Sequence, residues 1–230
     1  MIALIGAMPE EVANIKEKIE NLKERKIAHV TFYEGIYEQR SIVLMLSLPG
    51  KVNAAIATTL LLDHYKPEYV INIGTCGALQ GSMEIGDMIV ATEVRHFDVD
   101  ATEFGYELGQ VPQMPESYPV DSELKESVVC ILQERITEFG IHSGFIATSD
   151  SFMSSVETVQ NIREHLPDIV ASDMESTPLA QVAHFYDIPV LNIRGISDHV
   201  GGEAPDTFEA TLELASKHAF EAVCTLVEEL

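Results

Sequence analysis

Basic residues are scarce in this sequence: Lys and Arg together number 14 against 37 Asp and Glu, a formal net charge of −23. A surface this acidic repels phosphate backbones, and no basic stripe relieves it. Nucleic acid is therefore not an expected partner, and an anionic membrane surface is disfavoured for the same reason. The acids are spread along the chain without forming a tail, so most read as solvated helix faces. Cysteine is sparse too. Cys76, Cys130 and Cys224 are odd in number and far apart, which fits neither a disulfide framework nor a Cys-x-x-Cys metal knuckle. No apolar run approaches the roughly 18 residues a membrane span needs. The opening stretch MIALIGAMPEEV has no basic leader and soon reaches acids, unlike a signal peptide. These absences point to a reduced, cytoplasmic protein.

What the chain does contain suits a single domain over residues 1–230, with 46% hydrophobic and 22% charged residues. MIALIGA reads as a buried strand, and PEEVANIKEKIENLK after it has helical spacing at Val12, Ile15, Ile19 and Leu22. Pro9 fits the first helical turn, where its missing N–H costs nothing. Residues 29–48 read as two strands turning near Glu38 to Arg40, 51–65 as an apolar helix, and 68–74 and 86–97 as strands. From Asp98 to Pro119 periodicity fades, and a loop of about twenty residues is unusual in a compact domain unless it has a job. Helices are expected over 121–139 and 156–166, from Thr177 and from Asp206, with strands at 142–149, 168–172 and 189–197. This alternation predicts a single-domain α/β fold of three αβα layers around a central mixed sheet.

Several motifs carry chemistry, each with a plain structural alternative. In IGAMPEEV, Glu10 and Glu11 either compensate the dipole of a helix start or place one carboxylate over a strand end as a base. In NIGTCGAL, Gly74 and Gly77 suggest backbone lying close to a ligand, without the spacing of a dinucleotide or Walker loop. Cys76 reads as a small residue in a tight turn, since no histidine is placed near it in sequence. In RGISDHV, Arg194 and Asp198 close an apolar strand, as a structural ion pair or as a site. His96, Asp98 and Asp100 alternate on an extended segment, which is either a polar strand end or a cation site. In SDMES, Ser172 and Glu175 have capping-box spacing, yet Glu175 also stands where open α/β sheets keep ligands.

Taken in order, IGAMPEEV, GKVNAA, INIGTCGAL, FGYELGQVP, SDSF, DMES and RGISD resemble the 5′-methylthioadenosine/S-adenosylhomocysteine nucleosidase family of the nucleoside phosphorylase superfold. The similarity runs over nearly the whole chain. It implies hydrolysis of an N-ribosidic bond to release adenine, without cofactor or metal. Glu11 would activate the water, helped by Arg194 and the region of Thr75, Cys76 and Gly77. Glu175 would hold the ribose hydroxyls, with Met174 under the sugar, and Met8 would also contact the substrate. Asp198, positioned by Ser197, would protonate adenine N7. Phe152 would stack on adenine and the Met153 backbone would read its edge. Ser172 and Asp173 would cap the following helix. Phe104, Tyr106 and Pro112 would come from a neighbouring subunit of a homodimer to cover the alkylthio end. Where the family usually has Gly-Ile before GKVNAA this chain has Leu48 and Pro49, near the expected 5′ pocket, and Asp173 replaces a longer acid. A phosphorylase, an aminodeoxyfutalosine hydrolase and a non-catalytic nucleoside-binding protein are the rival readings. Glu10 and Glu11 stand against the first, because acids in that loop repel phosphate.

Overall fold

The computed structural model describes residues 1–153, 155–201 and 204–229. Strand β1 (Ile2–Gly6) is buried along its whole length and lies parallel to two neighbours, β4 (Arg40–Leu46) and β5 (Tyr69–Ala78). Its side chains alternate between two faces, as strand geometry requires. Ile2 and Leu4 pack into a core built with α1 (Pro9–Lys18), α3 (Ser122–Arg135) and α6 (Ala204–Glu229). Ala3 and Ile5 face the opposite layer, made by α2 (Lys51–His64) and α5 (Ser176–His184). The three-layer αβα arrangement follows from this alternation.

Beyond β4 the sheet continues antiparallel through β3 (Val30–Tyr37) to β2 (Glu20–Ile27). Glu38 and Gln39 both have positive φ, so the expected hairpin closes on a two-residue primed turn. Residues 20–27 correct the sequence expectation of helix through Lys23. Helix α1 stops at Lys18, Ile19 is extended, and an irregular pairing around Asn21 (φ 55°) starts the edge strand. The run ENLKERKI is exposed, and its charges suit an edge that must not pair further.

On the other side the sheet closes on itself. Strand β5 pairs with both β10 (Val190–His199) and β9 (Ile169–Asp173); β10 continues through β6 (Met88–His96) and β8 (Ile141–Thr148) back to β9. Mixed parallel and antiparallel pairing lets these five strands curl into a ring. Helix α4 (Val156–His165) covers β8 and β9 through Val159 and Ile162. The segment after Asp98 is irregular, as expected, apart from a 3-10 turn at Thr102–Phe104 and a two-residue strand, β7 (Tyr118–Pro119), paired to β6. It is tied back by Arg95 donating to the Leu108 carbonyl and by Gly109 N–H donating to the Val99 carbonyl at 2.8 Å.

Candidate active site

Strands β1, β5 and β10 run parallel, so the segments leaving their carboxyl ends meet, and the end of β9 joins them. Between them lies a cleft of about 590 Å³, open at its mouth. Met8, Glu11, Thr75, Cys76, Gly77, Phe152, Met153, Met174, Glu175, Ser197 and Asp198 all line it. The structure thus gathers into one cleft residues that the sequence holds in five separate stretches.

Of the two acids opening α1, Glu10 turns to solvent and Glu11 inward. The Glu11 carboxylate accepts the N–H groups of Ala7 (2.8 Å) and Met8 (2.9 Å) on one oxygen and of Thr75 (3.0 Å) on the other. Burial raises its pKa; Arg194 and these three N–H donors oppose the rise. The glycines of β5 serve the side chains around them. A Cβ on Gly74 would collide with the Arg194 guanidinium and stand 2.7 Å from Glu11 Oε1, and one on Gly77 would stand 2.9 Å from Asp198 Oδ2. Gly74 and Gly77 thus mark where the site's own groups pass the strand, as well as where a ligand could approach.

Arg194 is fully buried beneath the cleft and does not line it. It pairs with Asp173 at 2.9 Å and lies 3.6 Å from Glu175, while its Nε and Nη2 donate to Ser176 Oγ. Of the two readings of this strand end, an Arg194–Asp198 ion pair is not formed: Arg194 turns toward the β9 acids, and a register shift in β10 between Ile196 and Asp198 turns Asp198 the other way. Asp198 is buried and accepts from Ser197 Oγ at 2.8 Å. Burial raises its pKa, against smaller pulls from Ser197 and His199; neighbouring acids are not among the causes.

The end of β9 answers the SDMES question differently from the capping-box spacing. Ser172 sits in the strand, paired to Gly77 and Ala147. Asp173 is the residue that receives the helix start, accepting Ser176 N–H at 3.3 Å as well as the Thr148 hydroxyl at 2.6 Å. Glu175 occupies the N-cap position without capping, and its Oε1 accepts Gly50 N–H at 2.9 Å. Its pKa is pushed up to about 7, by burial first and against the pull of Arg194.

Other expectations separate here. Cys76 is buried with its thiol pKa pushed well up by burial, which leaves it inert as a nucleophile. His96 contacts Gln181, Asp98 pairs with Lys51 at 2.6 Å, and Asp100 accepts from Thr102, so the alternating trio does not converge. Among the described residues no group of three or more His, Cys, Asp or Glu is placed to hold a metal ion. Pro49 lines the cleft, whereas its neighbour Leu48 does not. Phe104, Tyr106 and Pro112 do not line it either, and Phe104 is 85% exposed. Sequence reasoning missed Val200 and Phe208, the latter edge-on to Phe152 at 5.8 Å. Phe208 comes from α6 and carries no local signal. Asp173 was expected as a helix cap; its second role, pairing with Arg194, had a signal, because a buried arginine needs a carboxylate partner.

The comparisons agree with this geometry. The phosphorylase superfamily model matches residues 1–228. The 5′-methylthioadenosine/S-adenosylhomocysteine nucleosidase of Bacillus subtilis (strain 168) is 43% identical over 232 residues, covering 100% of this chain and 99% of that protein. The nucleosidase of the same name from Neisseria meningitidis, solved with methylthio-immucillin-A, has a TM-score of 0.96 at 35% identity over 100% of this chain and 99% of that one. Another, from Colwellia psychrerythraea with adenine bound, has a TM-score of 0.96 at 36% identity, covering 100% and 95%. The chain belongs to the phosphorylase superfamily and, within it, to the 5′-methylthioadenosine/S-adenosylhomocysteine nucleosidases.

Proposed function

We propose that this protein hydrolyses the N-ribosidic bond of 5′-methylthioadenosine and S-adenosylhomocysteine, releasing adenine. One observation carries the choice of water over phosphate. The described lining of the cleft holds Glu11, Asp173, Glu175 and Asp198 and neither Lys nor Arg. Arg194 lies below this lining, paired with Asp173 and close to Glu175, and Lys51 is paired with Asp98. Such a site repels a phosphate anion and favours positive charge on a sugar.

The roles follow from where each acid stands. Glu11, fixed by three N–H donors, takes a proton from water as the water oxygen bonds to C1′. The C1′–N9 bond breaks, and the electron pair passes to the purine. Asp198, whose raised pKa favours its acid form, gives its proton to N7, so adenine leaves neutral. Glu175 holds the ribose hydroxyls and, when ionised, stabilises the oxocarbenium-like sugar. Phe152 stacks on the purine, and the Met153 backbone reads its edge. The opposed acid and base parallel those of inverting glycosidases.

Adenine release from both nucleosides should proceed at the same rate with and without inorganic phosphate, as followed by chromatography of adenine and the free thioribose. Dependence on phosphate, with a ribose 1-phosphate product, would overturn the assignment of Glu11.

The exposed Phe104, together with Val52 on α2 (67% exposed), supports a homodimer in which the 104–112 loop covers the partner's cleft. Sedimentation equilibrium should give a dimer, and Phe104→Ser should weaken association while raising KM for both thioethers. A monomer at micromolar concentration with normal KM would remove this part of the reading.

A further inference from the structure

The bulge that turns Asp198 into the cleft is held by groups to which the chemistry above gives no part. On one flank, β10 pairs with β6 only over Ile193–Gly195. Past that point the residues leading into β6 take over. Ile196 N–H donates to the Asp87 carbonyl and Gly86 N–H donates to the Ile196 carbonyl, both at 2.8 Å. These two bonds grip the residue immediately before Ser197 and Asp198.

The Gly86–Asp87 peptide is itself fixed from several sides. The Asp87 carboxylate accepts Gly140 N–H at 2.8 Å on Oδ1, and Glu84 N–H at 3.0 Å and His142 Nε2 at 2.8 Å on Oδ2. The Gly86 carbonyl receives His218 Nδ1 at 2.7 Å, and that imidazole is stacked on Phe139 with ring centres 4.0 Å apart. Burial alone would raise the Asp87 pKa, yet the Glu84 and Gly140 N–H groups and His142 bring it below the ordinary value. The carboxylate is therefore built to stay ionised and bonded, in a place where it cannot touch the cleft: Asp87 is not among the lining residues.

We propose that Asp87, steadied by His142, is a positioning residue for Asp198: it sets the backbone clamp on Ile196 and, through the β10 bulge, the direction of the acid. The inference rests on the reading of Asp198 as the proton donor. Its physical basis is that a general acid works only within hydrogen-bond reach of its acceptor, so a misplacement of about 1 Å can cost about a hundredfold in rate.

The test compares Asp87→Asn, His142→Leu and His142→Gln with Asp198→Asn. Each is measured for kcat and KM on 5′-methylthioadenosine, adenine affinity and thermal midpoint. Asp87→Asn is expected to lower kcat by about a hundredfold and His142→Leu by about tenfold, with KM and adenine affinity within about twofold. His142→Gln keeps an N–H donor and should recover most of kcat. If Asp87→Asn does not fold, the half-exposed His142 pair decides. Wild-type kcat in folded His142→Leu, or equal losses in the Leu and Gln variants, would overturn the inference while an inactive Asp198→Asn left the mechanism standing. Full activity in Asp198→Asn would instead remove the proton donor, and this inference with it.

Discussion

Asp198→Asn is expected to lower adenine release by about 10³-fold or more while leaving the fold intact. The expectation comes from the leaving group: adenine departs poorly as an anion, and Asp198 is the cleft acid placed beside a hydroxyl donor, away from Arg194. Asparagine keeps the shape and can still accept the Ser197 hydroxyl, but it has no proton to give. Stability should move the other way. Burial raises the Asp198 pKa, so the acid stabilises the fold below its unfolded value, and that contribution is lost as pH rises through the folded value. At neutral pH the wild-type protein carries a cost that asparagine lacks. The variant should melt at or above wild type near pH 7, with the difference shrinking toward pH 4. Calorimetry and an adenine assay on one preparation separate the two effects. Unchanged turnover would take the acid role from Asp198.

The sequence made the site's local pieces legible and left their relative orientation hidden. Glu11, Thr75, Phe152, Glu175 and Asp198 each sit in a short motif at a strand end, and in an α/β chain strand ends are where sites form. What no local pattern could reveal was which way a side chain turns at an irregularity. The β10 bulge turns Asp198 away from Arg194, which pairs with Asp173, so two residues four apart in sequence have different surroundings. The same limit explains SDMES: Ser172 has the right spacing for a cap, but its pairing to Gly77 keeps it in the strand and passes the duty to Asp173. Residues 20–23 went wrong for another reason. Glu, Lys and Leu favour helix locally, and only pairing to β3 makes that stretch an edge strand. Phe208 was invisible because four elements, α4, β9, α5 and β10, separate it in sequence from its partner Phe152.

Glu11→Gln should reduce turnover by about 10³-fold while adenine still binds. A base must be ionised and aimed, and the surroundings of Glu11 act on both. Burial favours the neutral acid, whereas three backbone N–H groups and Arg194 favour the carboxylate. The same donors hold the carboxylate in place between Ala7, Met8 and Thr75. Glutamine has nearly the same volume, but only one of its ends accepts. Whichever way the amide turns, its NH₂ faces at least one backbone N–H, which loses its partner. An unsatisfied buried donor costs about 1–3 kcal/mol, so a lower melting temperature should accompany the loss of rate. In the proposed binding mode adenine meets Phe152, Met153 and Asp198 and not Glu11, so its affinity by titration calorimetry should stay within about threefold of wild type. A folded Glu11→Gln protein with normal turnover would mean that another group holds the water. Loss of adenine binding along with turnover would mean that Glu11 shapes the cleft without activating water.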